Sequence, residues 1–326
     1  MPALATHELT KDYAVGFWRT RPYRALDHLS LEVAAGEVFG FLGPNGAGKT
    51  TTLKLLMRLV FPTSGRAEML GRPAGDLDVR RRVGYLPEHP YFYDYLTAEE
   101  LLSYFAGLFG ISGRERTRRV SDLLDEVGLG AERRLQLRKF SKGMLQRVGI
   151  AQALLNEPEL VILDEPMSGL DPLGRRDVRS LILRLRDRGC TVFFSSHVLS
   201  DAEALCSRVA ILAKGRLVTA GRLTDMVAFQ IRGWEVVAIG VGGDLLARLT
   251  PRASRVTRIG DDRYVFDLPV DPGPDRFVAD LSAGGATLLS VNPLRDTLED
   301  FFVKQVTAPA LQNRDRGLGG AAGDAP

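Results

Sequence analysis

The stretch "VFGFLGPNGAGKTT", residues 38–51, joins an apolar run to a glycine-rich loop and then to a helix-forming segment. The loop fits G-x-x-x-x-G-K-[ST], and its glycines let backbone N–H groups converge on phosphate oxygens. Lys49 is expected to reach the β- and γ-phosphates, and Thr50 to offer its hydroxyl to Mg²⁺. The predicted nucleotide-binding residues of this loop are Gly43, Pro44, Asn45, Gly46, Ala47, Gly48, Lys49, Thr50 and Thr51.

Two acids end a second apolar run, "LVILDEP", residues 160–166. A buried carboxylate is costly unless a charge or a metal lies beside it. Asp164 is therefore expected to hold Mg²⁺, and Glu165 to polarise an attacking water as a general base. His197 ends the run "TVFFSSH", where its imidazole could reach a γ-phosphate and stabilise developing charge. Together the motifs predict a nucleotide hydrolase with Glu165 and His197 as catalytic residues.

Composition and charge exclude several other classes of protein. The formal net charge of +3 is too small to indicate a nucleic-acid partner, and none is expected. Cys190 and Cys206 have neither metal-ligand spacing nor the density of a disulfide scaffold. No stretch approaches the roughly 20 apolar residues of a spanning helix, so we do not expect the chain to cross a membrane itself.

The pattern along the chain predicts its organisation. Short apolar runs alternate with longer helical patterns from about residue 4 to 220, which predicts an α/β domain with a mostly parallel core sheet. Its predicted helices are 49–60, 97–109, 141–155 and 172–188. Near residue 231 the pattern changes to alternating strands with two amphipathic helices, near 274–283 and 293–304, which predicts a small α+β domain. The predicted domains are 1–230 and 231–306, followed by a disordered tail, 307–326, that is poor in apolar residues.

A second anion site is predicted at "FSKGMLQR", residues 140–147, where Ser141 is a natural N-cap of a helix. With these motifs in this order, residues 4 to about 225 resemble the ATP-binding subunits of ABC transporters. The glycine-rich loop matches the family's Walker A motif, "LVILDEP" its Walker B motif, and "SGLDP" (168–172) its D-loop. His197 matches the switch histidine, and "FSKGMLQR" stands where the family has its LSGGQ signature.

The resemblance implies a fold, cofactors and a partner. The fold is a P-loop ATPase domain whose parallel core sheet is joined by an antiparallel β part and a helical subdomain that carries the signature. The implied cofactors are ATP and Mg²⁺. In this family two subunits pair head to tail, so Ser141 and Gly143 are implied to bind ATP held by a second ATPase subunit, which we take to be an identical copy.

Three positions depart from the family pattern. Lys142 replaces a signature glycine, and Met144 replaces the signature glutamine. Glu88 stands where the family has the Q-loop glutamine, and its carboxylate is expected to approach the metal. The aromatic residue that stacks on adenine is expected to be Tyr13, with Trp18 and Tyr23 as the competing candidates.

The signature, the Q-loop and the second domain look like those of ATPases that serve ABC-2-type export systems. This resemblance implies a peripheral ATPase at the cytoplasmic face of the membrane, docked on a separate membrane-spanning permease. Residues 88–105 include "PYFYDYL" and are the expected contact, with a local core as the alternative for these aromatics. A non-transport ABC ATPase with a regulatory role is the alternative function. The cargo is not indicated by the residues.

Overall fold

The computed structural model describes residues 1–16, 21–226 and 231–295. The described residues fall into two units, the first ending at Leu223 and the second beginning at Thr224. The predicted domain boundary lay seven residues further along the chain, after 230. Trp18 and the predicted tail, 307–326, lie outside the described residues.

The first unit contains the apolar runs, which form strands as their β-branched and aromatic content favours. In chain order its strands are β1 (Pro2–Val15), β2 (Arg21–Ala34), β3 (Val38–Leu42), β4 (Ser64–Met69), β5 (Arg72–Pro73), β6 (Val83–Leu86), β7 (Leu160–Leu163), β8 (Thr191–Ser196), β9 (Arg208–Ala213) and β10 (Arg216–Arg222).

Helices separate most of these strands. They are α1 (Lys49–Leu56), α2 (Leu77–Arg80), α3 (Ala98–Leu108), α4 (Gly113–Glu126), α5 (Lys142–Leu154), α6 (Pro172–Asp187) and α7 (Leu199–Leu205), with a 3₁₀ turn at Leu137–Lys139. A short helix, α8 (Leu223–Met226), follows β10, and only its first residue belongs to the first unit. Local signals place their ends: Thr97 and Glu100 form a capping box on α3, and Asp171 caps α6 directly before Pro172. The helices predicted at 49–60, 97–109, 141–155 and 172–188 are thereby confirmed to within a few residues.

Two sheets build the first unit. The six-stranded core sheet has the order β10-β9-β3-β8-β7-β6, and every neighbouring pair is parallel except β10 with β9. The four-stranded sheet, of order β2-β1-β4-β5, is antiparallel. Helix α3 packs on α4, and both contact α5, so these three helices form the helical subdomain. The mostly parallel core, the antiparallel part and the helical part were all predicted.

The core of the first unit lies against the parallel sheet. Phe39, Phe41 and Phe193 are fully buried there. The ring centroid of Phe193 lies 5.9 Å from that of Phe39 and 5.3 Å from that of Phe41. Strands β3, β7 and β8 are buried over their whole length. This explains why they read as continuous apolar runs instead of alternating ones.

The second unit has its own core and an α+β fold. Its elements are β11 (Ile231–Ile239), α9 (Gly243–Leu249), a 3₁₀ turn (Thr250–Arg252), β12 (Arg255–Arg258), β13 (Arg263–Pro269), α10 (Asp275–Ala283) and β14 (Thr287–Arg295). The order βαββαβ and the antiparallel sheet order β12-β13-β11-β14 form a split βαβ arrangement. Its apolar core includes Phe266 and Phe277.

One helix prediction in the second unit needs correction. The helix expected at 293–304 begins inside β14, because residues up to Arg295 pair with β11. The remainder of that segment lies outside the described residues. The helix predicted near 274–283 is confirmed as α10, while α9 was not predicted. No helix within 1–16, 21–226 or 231–295 combines the length and the apolar content needed to cross a membrane.

Candidate nucleotide-binding site

The predicted motifs meet at one edge of the core sheet. Strands β3, β8, β7 and β6 are adjacent and parallel, so the segments that follow them lie side by side. These segments carry, in the same order, the glycine-rich loop, His197, the pair Asp164 and Glu165, and Glu88. The carboxyl edge of a parallel sheet is where ligands of α/β proteins bind.

The backbone of the loop requires its glycines. Gly46 and Gly48 have φ values of +78° and +105°, which residues with a Cβ rarely adopt. A Cβ on Gly48 would also lie 2.5 Å from the Ala25 carbonyl oxygen, and a Cβ on Gly43 would collide with the Leu212 carbonyl. The carbonyl groups of Ala25 and Leu212 thus leave no room for side chains at these two glycines. Gly48 is also the N-cap residue of α1.

Lys49 is the first residue of α1 and is 5% exposed. Its ammonium donates to the carbonyl oxygens of Gly43 at 2.6 Å and Pro44 at 3.3 Å. The same nitrogen lies 3.2 Å from Glu165 Oε1, and both side chains are buried. A buried ammonium is stable when it is paired and hydrogen-bonded in this way. Its donors point into the loop that the sequence assigned to phosphates.

Asp164 is fully buried at the end of β7. Its Oδ1 accepts a hydrogen bond from the Ser195 hydroxyl at 2.6 Å, whereas its Oδ2 is buried without a hydrogen-bond partner. Burial raises the pKa of Asp164, the hydroxyls of Ser195 and Thr50 oppose this rise, and the charges of Glu88 and Glu165 add to it. An oxygen in this position is suited to a cation.

The residues around Asp164 suit Mg²⁺ better than a metal ion whose ligands are all protein side chains. No group of three or more His, Cys, Asp or Glu side chains in the described part of the chain forms a metal cage. Mg²⁺ needs none, because it prefers oxygen ligands and binds through one or two carboxylates together with phosphates and waters. The unpaired Asp164 oxygen and the hydroxyl of Thr50 are ligands of that kind.

Glu165 adopts a left-handed backbone conformation, with φ of +49°, that directs its side chain to two partners. Oε1 pairs with Lys49, and Oε2 lies 2.8 Å from His197 Nδ1. An ionised carboxylate only accepts hydrogen bonds, so Nδ1 carries the proton in this contact. The Nε2 atom of His197 then remains available, and the imidazole is 41% exposed.

Lys49, Thr50, Glu88 and Glu165 line a cleft of about 380 Å³, whereas Asp164 and His197 contact these groups without lining the cleft themselves. Its lining comprises Tyr13, Tyr23, Ala25, Pro44, Asn45, Gly46, Ala47, Gly48, Lys49, Thr50, Thr51, Glu88 and Glu165. A larger cleft of about 510 Å³ lies elsewhere, beside α4 and the amino end of β7. Two ion pairs lie within its lining, Arg119–Glu157 and Arg188–Glu126, and it contains no part of the glycine-rich loop. The smaller cleft is therefore the candidate site.

Two aromatic side chains border the cleft at the end of the β1–β2 hairpin. Tyr13 and Tyr23 face each other across the two strands. The Lys11 ammonium lies 5.0 Å from the Tyr13 ring centroid, and Tyr23 is 54% exposed. Both line the cleft at a position where a base could stack. Tyr13 and Tyr23 therefore both remain candidates for the residue that stacks on adenine.

The start of α5 lies apart from this cleft. Ser141 caps the helix, accepting a hydrogen bond from the Met144 N–H at 3.2 Å, and both Ser141 and Lys142 are exposed. None of the cleft-lining residues named above comes from α5. A Cβ on Gly143 would meet its nearest neighbour, Leu170, at an ordinary 3.6 Å, so packing within the chain does not demand a glycine there.

Comparisons with known proteins identify the family. A family model described as "ABC transporter" matches residues 26–168. An ABC transporter ATP-binding protein of Synechocystis sp., itself uncharacterized, is 46% identical over 96% of this chain and 85% of its own length. The chain belongs to the ABC transporter ATP-binding proteins. As a member of this family it is the ATP-hydrolysing subunit of an ABC transporter.

Further relatives carry more specific names. The Nod factor export ATP-binding protein I of Cupriavidus metallidurans is 35% identical over 86% of this chain and 91% of its own length. Among solved structures, a dimeric post-hydrolysis state of an ATP-binding cassette bound to ADP and Pi matches with a TM-score of 0.62 and 27% identity. That match covers 68% of this chain and 98% of the other. It agrees with the ABC ATPase fold of the first unit.

One polar contact of this ABC ATPase site was not anticipated from its sequence. Ser195 lies in β8, is fully buried, and its hydroxyl contacts both Asp164 and the backbone N–H of Glu165. A signal was available: this buried strand ends in two serines, Ser195 and Ser196, directly before His197. Buried hydroxyls nearly always have partners, so the position of Ser195 predicts a contact, although not its identity.

Proposed function

We propose that the chain hydrolyses MgATP in sites shared by two copies, and that hydrolysis drives export through a separate membrane-spanning permease. The observation that carries this proposal is the division of the site. Lys49 and Glu165 line the cleft, whereas Ser141 and Gly143 lie at the exposed start of α5, which contributes no residue to the cleft lining. A helix N-terminus presents free N–H groups and a partial positive charge, and both suit the γ-phosphate of ATP bound to the other copy.

Within one chain the loop positions ATP. The backbone N–H groups of the glycine-rich loop surround the phosphates, and Tyr13 stacks on adenine. Lys49 exchanges the carbonyls of Gly43 and Pro44 for β- and γ-phosphate oxygens, which attract its charge more strongly. Because the ammonium already lies in the loop at 2.6 Å and 3.3 Å from these carbonyls, only a small movement is required.

Glu165 and His197 act on the reaction itself. Glu165 accepts a proton from the water that attacks the γ-phosphorus, while the bond from that phosphorus to the bridging oxygen of ADP breaks. His197 holds the base through its Nδ1–H at 2.8 Å, which leaves Nε2 for the γ-phosphate. The products are ADP and phosphate.

Thr50, Glu88 and Asp164 would hold Mg²⁺, which when bound neutralises charge on the β- and γ-phosphates. The buried, unpartnered Oδ2 of Asp164 supports this assignment. Glu88 is exposed at the rim of the cleft and supplies a carboxylate where related ATPases have a glutamine.

An exposed aromatic patch is the proposed contact with the permease, at the cytoplasmic face of the membrane. Tyr91 is 95% exposed, and the rings of Tyr93 and Tyr95 lie 5.9 Å apart at the surface. This exposure argues against the alternative that these side chains form a local core. Exposed aromatic patches are typical of protein interfaces, and this one adjoins Glu88. The name of the Nod factor relative supports export as the direction.

The division of the site is tested by Ser141→Arg. We expect the variant to bind ATP as wild type does and to lose hydrolysis, because the added side chain blocks the phosphate of the opposing copy. Ser112→Arg is the matched control, since Ser112 is likewise the N-cap residue of a helix, α4, of the same subdomain. It should retain hydrolysis. Loss of ATP binding by Ser141→Arg, with its melting temperature unchanged, would place Ser141 in the site of its own chain and overturn the proposal.

The permease contact is tested by Tyr91→Glu, with Phe61→Glu as the control. Both side chains are more than half exposed, so neither change should affect folding. We expect Tyr91→Glu to release the chain from native membranes and to keep the basal ATPase rate. Retention of Tyr91→Glu on the membrane at the wild-type level would remove the patch from the interface.

A further inference from the structure

Ser195 occupies a position between the two acids of the site. It lies in β8, whose neighbours are β3 on one side and β7 on the other, and Phe41 pairs with it from β3. Its hydroxyl donates to Asp164 Oδ1 at 2.6 Å and accepts from the N–H of Glu165 at 2.9 Å. All three residues are at least nine-tenths buried.

Both contacts fix the direction of the hydroxyl. A serine hydroxyl has a single proton, and an ionised carboxylate can only accept it. Because the hydroxyl proton is directed at Asp164 Oδ1, a lone pair of the Ser195 oxygen faces the Glu165 N–H. One carboxylate oxygen of Asp164 is thus occupied, and the other, Oδ2, is left as the buried oxygen without a hydrogen-bond partner. The contact selects which oxygen of Asp164 faces a cation.

The same hydroxyl holds the backbone of Glu165. This residue has a φ of +49°, a conformation that side chains other than glycine adopt at a cost. Its N–H has left the strand ladder, and the Ser195 oxygen is its partner. The conformation aims the carboxylate at Lys49 and His197, at 3.2 Å and 2.8 Å.

We propose that Ser195 is a positioning residue that orients the metal carboxylate Asp164 and the general base Glu165 through one shared hydroxyl. This inference rests on the proposed roles of those two acids. Ser195 is not itself one of the cleft-lining residues, so it acts through its neighbours Asp164 and Glu165. Without the hydroxyl, both acids remain in place but lose their fixed directions relative to each other.

The test is Ser195→Ala, read by two measurements on the full chain. The first is kcat for ATP hydrolysis, which should fall about ten- to hundredfold, since a misplaced catalytic group costs about that much. The second is the ratio of the ATP dissociation constant in EDTA to that in Mg²⁺. We expect this ratio to fall towards one through weaker binding in Mg²⁺, with binding in EDTA unchanged. A purely structural defect would weaken both.

Thr191→Val is the matched control. Thr191 is at the opposite end of β8, is also buried, and its hydroxyl accepts from the Gly36 N–H at 2.9 Å. It should lower the melting temperature without changing the ratio. Equal effects of Ser195→Ala and Thr191→Val on kcat and on the ratio would overturn the inference, as would an unchanged kcat in a folded Ser195→Ala.

Two further variants keep the outcomes distinct. Asp164→Asn tests the proposed metal role directly: an unchanged ratio in that variant would refute the role of Asp164 itself, whatever Ser195 does. If Ser195→Ala does not fold, Ser195→Cys preserves the size and supplies a weaker donor. It should bind ATP in EDTA normally and show reduced kcat with a reduced ratio. Wild-type values in Ser195→Cys would then overturn the positioning role.

Discussion

Replacing Glu165 by glutamine preserves the shape of the side chain and removes its charge. Loss of a positioned base lowers a rate by about 10²–10⁴-fold, or about 2.7–5.4 kcal/mol of activation free energy. The affinity for ATP, in contrast, should be retained or should increase. Lys49 lies 3.2 Å from Glu165 Oε1, and an effective dielectric constant of about 20 gives a gross attraction of about 5 kcal/mol at that distance.

ATP must draw Lys49 away from this carboxylate and bring a γ-phosphate close to it. Glu165→Gln removes both opposing effects, so we expect ATP affinity equal to or higher than that of wild type. Phosphate release at saturating MgATP measures the first expectation, and titration calorimetry the second. Glu159→Gln is the control: Glu159 directly precedes β7 but pairs with Arg82 at the surface, 2.6 Å away, and kcat should not change.

The reasoning would be refuted if Glu165→Gln hydrolysed ATP within about tenfold of the wild-type rate. Weaker ATP binding by this variant would refute the second part, because it would show that the Glu165 charge assists phosphate binding.

Three other predictions concern groups outside this pair. Glu88→Gln should hydrolyse ATP within a few-fold of wild type, whereas Glu88→Ala should be slower; equal rates would assign the position to another residue. The contact with His28, followed by those with Arg216 and Arg24, lowers the pKa of Asp27, so Asp27 adds stability above its unfolded pKa of about 3.9. The melting temperature of Asp27→Asn should therefore lie below that of wild type near pH 6, and the gap should close as the pH falls below about 4. Burial raises the pKa of Cys190 to about 11 and that of Cys206 further. Neither thiol should react with iodoacetamide in the native protein at pH 8, and both should react in urea, as mass spectrometry would show.

The sequence predicted the phosphate loop, the paired acids and His197 because each follows a fully buried strand. Adjacent parallel strands bring such segments to one edge without any further information. The helix α4 was harder to predict. Its only apolar residues are Val120, Leu123 and Leu124, and most of the others are charged or polar, so the segment lacks the apolar content by which the other helices were recognised.

Non-local contacts account for most of what the sequence could not supply. Whether Tyr13 or Tyr23 stacks on a base depends on the pairing of β1 with β2, which places both at one cleft. The role of Ser195 depends on a contact between β8 and the end of β7, about thirty residues apart in the chain. The buried position of Ser195 predicts that its hydroxyl has a partner, but the sequence does not show which distant residue that partner is.

Gly143 has a consequence for how this protein should be engineered. It lies in the first turn of α5 without a positive φ, and an added methyl group would have room. Alanine at such a position usually stabilises a folded chain by about 0.4–1 kcal/mol. If Gly143 serves ATP bound to another copy, as proposed, then selection for heat resistance alone would favour alanine at 143 and lose ATP hydrolysis, because the glycine is needed by a second molecule and not by the fold of its own chain.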